Sequence, residues 1–434
     1  MRHIGNGARE HCIAETLKRS RTHFELICLA TAVNPGIRDL CSSYHVGNFE
    51  DVNFVKDFAL AHTPNFAFIG PENPISLGVA DMLLDVGVKA VAPFREPARL
   101  ESSKSFARDL LKKYEIPGNP RFRVFHTPEG IDEFMHELHG NCVIKADGLA
   151  GGKGVKVAGD HFHGYDEGLV YALECIQKFK KVVIEEKLIG QEFSLMSFVD
   201  GKTVFDMPAV QDHKRAFEDD RGPNTGGMGS YSDENLSLPF LSPKDLEAAH
   251  FINQSVVSAL QTESGFPFKG ILYGGFMATA DGVRLIEYNV RFGDPEVMNV
   301  LPLLQTDFVD VCEAIISGEL HQLPLRFERK ATVVKYVVPE GYPDNPKKGA
   351  KIELAELPSG VKRYFASVNE EDGTLYLGGS RTVAFVGFGK NVSEAEVFAE
   401  KGANTVSGPV FHRKDIGTES LVHLRISMMR KLRS

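Results

Sequence analysis

The first hundred residues alternate short apolar segments with helical stretches, and this alternation constrains the fold more than any other feature of the sequence. Segments 24–30, 66–69 and 88–92 are apolar and have the length of buried strands. Strands that alternate with helices predict a parallel sheet with helices on its faces. The expected fold class of this part of the chain is therefore α/β.

Two glycine-containing turns follow predicted strands in this region. Residues 5–7 read Gly-Asn-Gly before a helical stretch, and residues 70–72 read Gly-Pro-Glu after an apolar segment. In a doubly wound sheet, both turns lie at the carboxyl edge, where ligands bind. The start of a helix presents free N–H groups to an anion, so the first turn indicates a phosphate-bearing substrate. A plain tight turn is the alternative, because the first turn is only half of a dinucleotide fingerprint.

A glycine-rich loop at 145–154 reads Lys-Ala-Asp-Gly-Leu-Ala-Gly-Gly-Lys-Gly and joins the apolar segment 142–144 to the alternating segment 155–157. A P-loop would place Ser or Thr and then a helix after Lys153, and a Rossmann turn would also continue into a helix. Here a short strand follows instead. Small residues with two lysines can close over the phosphates of a nucleotide. A phosphate cover is thus favoured over a flexible solvent loop.

The strongest local chemistry lies in a predicted hairpin. Segments 271–279 and 283–289 are strand-like and are joined by Ala-Asp-Gly, a good hairpin signal. Glu287 and Asn289 are two residues apart on the second strand, so both project from the same face. Their oxygens are hard ligands of the kind that hold Mg²⁺ against nucleotide phosphates, and Arg291 is near enough to neutralise the same phosphates. A solvated face is the alternative, and the irregular run 291–296 weighs against it.

Other segments combine charge with turn residues. The run 211–215 places three potentially cationic side chains next to Asp212, and taken alone it is better interpreted as a solvated face. The run 222–229 reads Gly-Pro-Asn-Thr-Gly-Gly-Met-Gly and is too rich in turn residues for a regular element, so by itself it fits a surface turn equally well. Segment 104–114 predicts an amphipathic helix, and 182–188 predicts a strand that ends in charged residues.

Composition limits the possible functions. The chain has 434 residues, which suggests about three domains. Forty-nine basic and 58 acidic residues give a net charge of -9, which argues against nucleic acid as a partner and favours small molecules. Six cysteines without a Cys-x-x-Cys pair indicate a reducing compartment. The sequence shows no signal peptide or bilayer-spanning apolar run, so we expect a cytoplasmic protein that does not bind membranes.

The last hundred residues predict a compact α+β cap. The strand-like segments are 331–338, 364–368, 374–377 and 382–386. Segment 393–406 predicts a helix with Ser393 as its N-cap. This cap is expected to complete a cleft formed by the earlier parts of the chain.

The runs at 145–154, 222–229 and 287–296 together resemble the signatures of the phosphoribosylamine-glycine ligase family, within the ATP-grasp superfamily. The first run alone indicates only the superfamily, whereas Gly-Pro-Asn-Thr-Gly-Gly-Met-Gly and Arg-Phe-Gly-Asp-Pro-Glu indicate this family. The likeness covers nearly the whole chain, because other family motifs occur in order at 5–11, 70–72, 103–104, 211–215 and 413–417.

The resemblance implies three domains. An N-terminal Rossmann-like domain with a parallel sheet would occupy 1–100 and bind phosphoribosylamine. A central ATP-grasp domain would occupy 101–325, with a smaller lid subdomain at about 118–187, and a small α+β domain would occupy 326–434. A monomer is expected.

The implied reaction belongs to de novo purine biosynthesis: ATP, glycine and 5-phosphoribosylamine give glycinamide ribonucleotide, ADP and phosphate. Family members activate the glycine carboxylate as an acyl phosphate, which the amine then attacks. Segment 148–154 would be the lid over the phosphates, 185–188 would receive adenine through backbone groups, and Glu192 would take the ribose hydroxyls. The residues implied to bind ATP are Lys104, Lys145, Gly148, Gly151, Gly152, Lys153, Gly154, Glu185, Glu186, Leu188, Glu192 and Lys214.

The resemblance also implies how the cation and the other substrates are held. Glu287 and Asn289 would hold Mg²⁺ or Mn²⁺, and Arg291 would contact substrate and stabilise charge on the transferred phosphoryl group. The residues implied to bind phosphoribosylamine are Gly5, Asn6, Gly7, Glu10, Pro71 and Glu72. The residues implied to hold glycine and the amine are Asp212, Pro223, Asn224, Thr225, Gly226 and Met228. The expected catalytic residues are Arg291, Asp212 and Lys145.

Some positions depart from the family pattern or leave alternatives. The first strand is expected to be short, and Ala8 stands where glycine is common. Lys187 replaces a usual aromatic residue in the adenine-binding segment 185–188, and Ser380 is inserted in the usual Gly-Gly-Arg turn of the last domain. Neither residue is expected to take part in the reaction. His213 is a candidate general base, with a phosphate or structural contact as the alternative. The rival functions are another ATP-grasp ligase and a non-catalytic nucleotide-binding relative.

Overall fold

The computed structural model describes residues 2–149 and 154–434. In the N-terminal region, the strands are β1 (Arg2–Ile4), β2 (Ile27–Ala30), β3 (Ser43–Val46), β4 (Phe66–Ile69) and β5 (Lys89–Val91). The helices between them are α1 (Ala8–Lys18), α2 (Pro35–Leu40), α3 (Val52–His62), α4 (Glu72–Ser76) and α5 (Val79–Asp85). The five strands form one parallel sheet in the order β3-β2-β1-β4-β5.

The strand order reverses at β1, because the chain runs outward through β2 and β3 and then returns to the other side of β1. This doubly wound sheet confirms the predicted α/β fold class. The turns at 5–7 and 70–72 leave the carboxyl ends of the neighbouring strands β1 and β4, and the N–H of Gly70 donates to the carbonyl of Ile4 at 3.1 Å. The two turns therefore share one edge of the sheet, as predicted. β1 has only 3 residues, in agreement with the expected short start.

Two helices, α6 (Arg95–Ser102) and α7 (Lys104–Lys113), lead into a small antiparallel sheet. The elements of this part are β6 (Phe122–Phe125), α8 (Ile131–Glu137), β7 (Cys142–Ala146), β8 (Val155–Val157), α9 (Tyr165–Phe179) and β9 (Val182–Glu186). The strand order is β6-β9-β7-β8. Its buried residues, such as Phe134, Ile144 and Ile184, form a hydrophobic cluster separate from the main core. The sheet with α8 and α9, which we call the lid unit, is thus a small body packed around its own core.

The middle of the chain forms a second antiparallel sheet in the order β11-β10-β16-β17. The strands in this part of the chain, four of which form that sheet, are β10 (Gln191–Asp200), β11 (Val204–Asp206), β12 (Gln211–Asp212), β13 (Arg215–Phe217), β14 (Arg221–Asn224), β15 (Gly229–Ser232), β16 (Lys269–Thr279) and β17 (Gly282–Asn289). The helices are α10 (Pro243–Ser264), α11 (Val297–Val300) and α12 (Phe308–Ser317). β16 and β17 form the predicted hairpin, which closes where Thr279 pairs with Gly282.

The C-terminal region adds two more sheets. Its strands are β18 (Ala331–Pro339), β19 (Lys351–Leu354), β20 (Val361–Phe365), β21 (Val368–Glu371), β22 (Thr374–Leu377), β23 (Val383–Gly389), β24 (Val406–Ser407) and β25 (Val410–Phe411), and its helices are α13 (Val392–Ala403) and α14 (Glu419–Arg433). The larger sheet has the order β12-β15-β18-β23-β20, with β25 also paired to β18. The strands β12 and β15, from the middle of the chain, therefore belong to the C-terminal sheet. The predicted α+β cap is confirmed.

Local predictions differ from the structure at three places. Residues 221–224 form β14, paired with β13, so only 225–228 of the run 222–229 is irregular. The segment 364–368 is not one strand, because β20 ends at Phe365 and β21 begins at Val368. Helix α13 is capped by Asn391, whose side chain accepts from the N–H of Glu394, and not by Ser393. In each case, a long-range pairing or a cap two residues away decides the boundary.

No helix within the described ranges, 2–149 and 154–434, is both long and apolar enough to span a bilayer.

Candidate active site

Glu287 and Asn289 lie two apart in a regular stretch of β17, as predicted, and so share a face of the sheet. Nζ of Lys214 lies 4.0 Å from Oε1 of Glu287, and Nη2 of Arg291 lies 3.5 Å from Oδ1 of Asn289. Burial alone would raise the pKa of Glu287, but the charges of Lys214 and of two other lysines hold it below its ordinary value. Glu287 is therefore a carboxylate at neutral pH, available to a cation.

The carboxylate oxygens of Glu287 and the amide oxygen of Asn289 fit a divalent cation that also binds phosphate oxygens. We call these two residues the cation pair. In the part of the chain that the structure describes, no group of three or more His, Cys, Asp or Glu side chains could hold a metal. A cation at Glu287 and Asn289 would take its remaining ligands from phosphates and water, which is how Mg²⁺ is commonly bound. The donor set therefore fits a cation that arrives with a nucleotide.

Lys145 lies deep in the site and is fixed by two oxygen atoms. Its Nζ is 2.8 Å from Oε2 of Glu185 and 2.8 Å from the carbonyl oxygen of Ile286. Arg108 donates to both carboxylate oxygens of Glu185, at 2.6 and 2.8 Å. Burial would raise the pKa of Glu185, but these two cations lower it. The side chain of Glu185 thus orients Lys145 and is not free to bind a nucleotide base.

The start of the glycine-rich loop is tied to the first turn of α7. Nζ of Lys104 donates to the carbonyl of Gly148 at 2.8 Å. Asp147 accepts from the N–H and the hydroxyl of Ser105, at 2.9 and 2.8 Å, and lies 2.7 Å from Nζ of Lys181. A phosphate could replace the Gly148 carbonyl as the partner of Lys104, because that ammonium already points at the loop.

The other residues expected to bind ATP line the same region or lie outside the described residues. Oε1 of Glu186, at the end of β9, accepts from the N–H of Arg121 at 2.8 Å, and Leu188 follows two residues later. Lys187 turns its ammonium to the carbonyl of Ala158, at 2.7 Å, which replaces aromatic packing by a hydrogen bond to the lid unit. Gly154 accepts from the N–H of Ala146 at 2.8 Å. The expected ATP-binding residues outside the described part are Gly151, Gly152 and Lys153.

A small cavity lies between Glu287 and Asp212. Its lining residues are Glu192, Phe193, Asp212, Lys214, Tyr273, Gly275, Ile286 and Glu287. Burial raises the pKa of Asp212, and the nearby carboxyl group of Glu296 raises it further. The hydroxyl of Tyr273 donates to Oε1 of Glu296 at 2.8 Å. Asp212 lines the cavity and the carboxyl group of Glu296 is near it, so an ammonium group in the cavity would relieve the repulsion between these two carboxyl groups.

His213 is not among the residues that line this cavity. It is 2% exposed, its ring centroid is 5.7 Å from that of Tyr231, and neither ring nitrogen has a hydrogen-bond partner among the described residues. Burial, together with the charges of Arg413 and Arg425, lowers its pKa to about 3. So weak a base, packed against an aromatic ring, favours the structural role over that of a general base.

The run 222–229 is folded against Lys214 and the lid unit. The hydroxyl of Thr225 donates to the carbonyl of Lys214 at 2.8 Å and accepts from the N–H of Gly227 at 3.0 Å. Nδ2 of Asn224 lies 3.3 Å from Nε2 of His161, which belongs to the lid unit. The strand β14 includes Pro223, so this residue sits in a hairpin rather than in an open loop.

Two further members of this run are closely packed. Gly227 has φ +106°, and a Cβ at this position would lie 2.7 Å from Oδ1 of Asp212, so a side chain here is excluded by both strain and space. Met228 is 0% exposed, its N–H donates to the carbonyl of His213, and its carbonyl accepts from the N–H of Tyr336. Met228 therefore exposes neither its side chain nor its backbone, whereas Gly227 lies close to Asp212.

Glu10 lies at the centre of the two N-terminal turns. Its Oε2 accepts from the N–H of Gly7 at 2.7 Å, and its Oε1 accepts from Nε of Arg9 at 2.6 Å. A Cβ at Gly5, Gly7 or Gly70 would lie within 2.7 Å of an atom of Glu10. The carboxylate is 3% exposed and its bonds stay within the protein. Glu10 thus fixes the shape of the two turns.

The remaining N-terminal candidates face the rest of the site. Oδ1 of Asn6 accepts from the hydroxyl of Thr31 at 3.2 Å. Pro71 is the residue before α4. Glu72 starts α4, and its Oε2 lies 3.6 Å from Nη2 of Arg9 and 3.4 Å from Nε of Arg291. The turns at 5–7 and 70–72 are therefore linked to β17 by a chain of charges.

Arg291 joins the two halves of the site. Besides its contacts with Asn289 and Glu72, its Nη2 lies 3.3 Å from Oε1 of Glu101. Burial would raise the pKa of Glu72, but Arg291 and then Arg9 hold it at about 2. The guanidinium is thus fixed between the cation pair and the N-terminal turns, where it can meet negative charge from either side.

Sequence reasoning missed several residues of the site. Arg108 lies inside the predicted amphipathic helix and Glu101 in the helix before it, where nothing local distinguishes them from surface charges. Arg381 comes from the turn beside the inserted Ser380, yet its Nη1 donates to the carbonyl of Gly226 at 2.5 Å. Glu296 stood in the quoted run 287–296, and its position there was the only available signal.

The lid unit and the sheet β11-β10-β16-β17 enclose the cation pair and the lysines near Glu287. This arrangement is typical of an ATP-grasp enzyme. The models of the N, ATP-grasp (A) and C domains of phosphoribosylglycinamide synthetase match residues 3–101, 102–297 and 332–419. The chain belongs to the phosphoribosylglycinamide synthetase family. Membership confirms the expected ATP-grasp architecture and the ligase class, and implies ATP with a divalent cation.

Individual relatives are similar over their whole length. The chain is 45% identical over 430 residues to a phosphoribosylamine--glycine ligase of Methanosarcina barkeri, covering 99% of both. It is 47% identical over 439 residues to that of Methanococcus maripaludis, covering 99% of this chain and 98% of the relative. The crystal structure of phosphoribosylamine--glycine ligase from Thermotoga maritima matches with TM-score 0.79 and 30% identity, covering 95% of this chain and 99% of that one.

Proposed function

We propose that the protein ligates glycine to 5-phosphoribosylamine with ATP, giving glycinamide ribonucleotide, ADP and phosphate in de novo purine biosynthesis. The position of Arg291 carries this proposal. Its guanidinium contacts Asn289 of the cation pair and Glu72 of the N-terminal turns. One side chain thus contacts both the proposed site of phosphoryl transfer and the edge of the N-terminal sheet. A reaction that uses three substrates requires these two regions to share one cleft.

On the ATP side, the proposal follows the lysines. Lys104, Lys145 and Lys214 all lie close enough to Glu287 to affect its pKa, and they would contact the phosphates. Segment 185–188 would receive adenine through backbone groups, Glu192 would bind the ribose hydroxyls, and 148–154 would cover the phosphates. Glu287 and Asn289 would hold Mg²⁺ or Mn²⁺, which supplies positive charge for phosphoryl transfer.

Glycine would lie between Asp212 and the run 222–229. The carboxyl groups at Asp212 and Glu296 suit its ammonium group, and its carboxylate would point toward Arg291. The carboxylate oxygen attacks the γ-phosphorus of ATP, the bond to the ADP oxygen breaks, and glycyl phosphate forms. Arg291 stabilises the charge that develops on the transferred phosphoryl group. The protein contributes position and charge, and no protein nucleophile is required.

Phosphoribosylamine would lie at the shared edge of β1 and β4. The N–H groups of Gly5, Gly7 and Gly70 are bonded to Leu29, Glu10 and Ile4. The phosphate of phosphoribosylamine would therefore meet the N–H groups at the start of α1, beside the point where the strand order reverses. Its neutral amine attacks the carbonyl carbon of glycyl phosphate, so the carbon–nitrogen bond forms and the carbon–oxygen bond to phosphate breaks. Phosphate leaves, and the amine loses one proton as the amide forms. Glu10 holds the turn 5–7 in shape through its bond to Gly7.

We also propose a division into domains 1–100, 101–325 and 326–434, with a lid subdomain at about 118–187. We propose a cytoplasmic monomer that binds no nucleic acid or membrane. The net charge of -9 and the absence of any disulfide among the cysteines, all six of which lie in the described ranges, support this proposal.

The test is an assay of ADP release that omits each substrate in turn. We expect ADP only when ATP, glycine and phosphoribosylamine are all present, together with glycinamide ribonucleotide in equal amount. Release that continues without glycine, or that responds to another amino acid instead, would support a different ATP-grasp ligase. Nucleotide binding without ADP release under any combination would support a non-catalytic relative and contradict the proposal.

A further inference from the structure

Arg381 belongs to the C-terminal region, but its side chain ends at the active site. It lies in the turn between β22 and β23, and its side chain is 15% exposed. The guanidinium lies over the ring of Tyr336, with Cζ 4.5 Å from the ring centroid. The hydroxyl of Tyr336 donates to Oδ1 of Asp294 at 2.7 Å. Arg381 therefore enters the site on a buried aromatic ring that is itself bonded to a site loop.

The guanidinium of Arg381 joins two loops. Its Nη1 donates to the carbonyls of Gly226, Gly227 and Asp294 at 2.5, 3.2 and 3.1 Å. Its Nη2 lies 3.0 Å from Oδ2 of Asp294. Gly226 and Gly227 belong to the run proposed to hold glycine, and Asp294 follows Arg291 in the run 291–296. A single planar cation thus fixes the spacing between these two loops.

The peptide at 226–227 is packed between Arg381 and Asp212. A Cβ at Gly226 would lie 3.1 Å from Cζ of Arg381. A Cβ at Gly227 would lie 2.7 Å from Oδ1 of Asp212 and 2.6 Å from Cδ of Pro295. A side chain on Gly227 is excluded by strain and space, and one on Gly226 would press against the guanidinium. The 226–227 peptide is therefore in close contact with both Arg381 and Asp212, and a displacement of the guanidinium moves this peptide relative to Asp212.

We propose that Arg381 is a positioning residue for the glycine subsite, which sets the distance between the Gly226–Gly227 peptide and Asp212 and thereby determines the affinity for glycine. The inference rests on the proposed function, because it takes Asp212 and this loop as the glycine-binding groups. Arginine holds its donors in one plane, so it can bind carbonyls and a carboxylate in one fixed geometry. Lysine offers one point charge and cannot hold both loops in the same way.

The test is steady-state kinetics of Arg381→Lys with each substrate varied separately. We expect KM for glycine to rise about tenfold or more, because hydrogen bonds to a charged donor of this kind are worth about that factor. KM for ATP should stay nearly unchanged, and kcat should fall less than the glycine affinity. Arg430→Lys is the matched control, because Arg430 is an exposed arginine on α14; it should behave as the wild type.

A second measurement separates positioning from a general loss of structure. Arg381→Ala should regain activity at subsaturating glycine when guanidinium is added at concentrations that leave its unfolding transition unchanged. The same additive should not stimulate the wild type or Arg430→Ala. Rescue requires an otherwise intact site with a guanidinium-shaped gap, which a misfolded variant does not offer.

The outcomes distinguish this inference from the proposed function. If the wild type releases ADP without glycine, the proposed function fails, whatever the variants do. If the wild type requires glycine but Arg381→Lys keeps its KM for glycine, the positioning role is overturned while the function stands. Equal increases in KM for glycine and ATP, or no rescue by guanidinium, would also overturn it.

Discussion

The two sides of the cleft are held in shape by different means. On the N-terminal side, the carboxylate of Glu10 is buried among glycine turns, and its hydrogen bonds are made to Gly7 and Arg9 within the protein. On the ATP side, Lys104 is bonded to the Gly148 carbonyl, a partner that a nucleotide phosphate can replace. The N-terminal side is held in shape by close packing around Glu10, whereas on the ATP side charged side chains make contacts that a ligand can replace. Substitutions should therefore damage the two sides in different ways.

The largest effect is expected from removing charge on the ATP side. Glu287→Ala takes away the only carboxylate of the cation pair and leaves Lys214 without one of its partners. We expect kcat/KM for ATP to fall at least about a hundredfold, since a metal ligand for phosphoryl transfer is lost. ADP release measured over a range of Mg²⁺ concentrations checks this, with Glu313→Ala, an exposed acid on α12, as the control. A rate within about twofold of the wild type would break the comparison.

The next largest effect is expected from adding bulk on the N-terminal side. Gly70→Ala places a Cβ 2.5 Å from Oε1 of Glu10, within a packed turn. Gly275→Ala, the matched change on the ATP side, meets its nearest atom, the carbonyl oxygen of Glu287, at 3.3 Å. We expect KM for phosphoribosylamine to rise about tenfold in the first variant. We expect it to stay unchanged in the second, whose added methyl group lies beside Glu287 in the cavity and away from the N-terminal turns.

Initial-rate measurements with phosphoribosylamine and ATP varied in turn would decide between the two variants. The comparison is sharpened if only Gly70→Ala changes KM for phosphoribosylamine. It is contradicted if the two alanines have equal effects, because then shape would matter no more on one side than on the other.

The smallest effect is expected at the charge that links the two sides. Arg291 and Arg9 keep the pKa of Glu72 at about 2, compared with an ordinary value of 4.5. A lowered pKa adds stability that is fully present above pH 4.5 and is lost as the pH falls toward 2. Relative to the wild type, Glu72→Gln should therefore be less stable at pH 7, with a difference that shrinks below pH 4.5.

Urea unfolding of the wild type and Glu72→Gln at pH 7, 5 and 3.5 checks this, with Glu313→Gln as the exposed control. A difference that grows on acidification would show that Glu72 does not depend on the two arginines for its charge. That result would also mean that the charge of Glu72 does not couple the N-terminal turns to Arg291.

Sequence reasoning was most successful where function and local pattern coincide. The β16–β17 hairpin was predictable because alternating apolar residues flank Ala-Asp-Gly, and the same pattern placed Glu287 and Asn289 on one face. The doubly wound sheet followed from strand and helix alternation, and it brought the two glycine turns together. The helix α13 was predicted, but its cap was not, because Asn391 and Ser393 are both good cap residues and only the backbone geometry decides between them.

The residues that sequence reasoning missed act over long separations in the chain. Arg108 reaches Glu185 across 77 positions, and Arg381 reaches Gly226 across 155. Neither residue stands in a segment whose composition differs from an ordinary helix or turn. The buried location of Glu10 was also invisible, since an acidic residue in the first turn of a helix is explained by the helix alone. Such pairs follow from tertiary packing and leave no trace in periodicity.

The C-terminal sheet has a consequence for any shortened or recombined version of this protein. The strand that carries Asp212, β12, pairs with β15, and β15 pairs with β18, which lies about a hundred residues further along the chain. Cutting the chain before Ala331 would expose the edge of β15 to pairing with other molecules. The segment 331–434, about the last quarter of the chain, therefore cannot be removed without disturbing the site, and its exchange between relatives must include the matching 211–232 region.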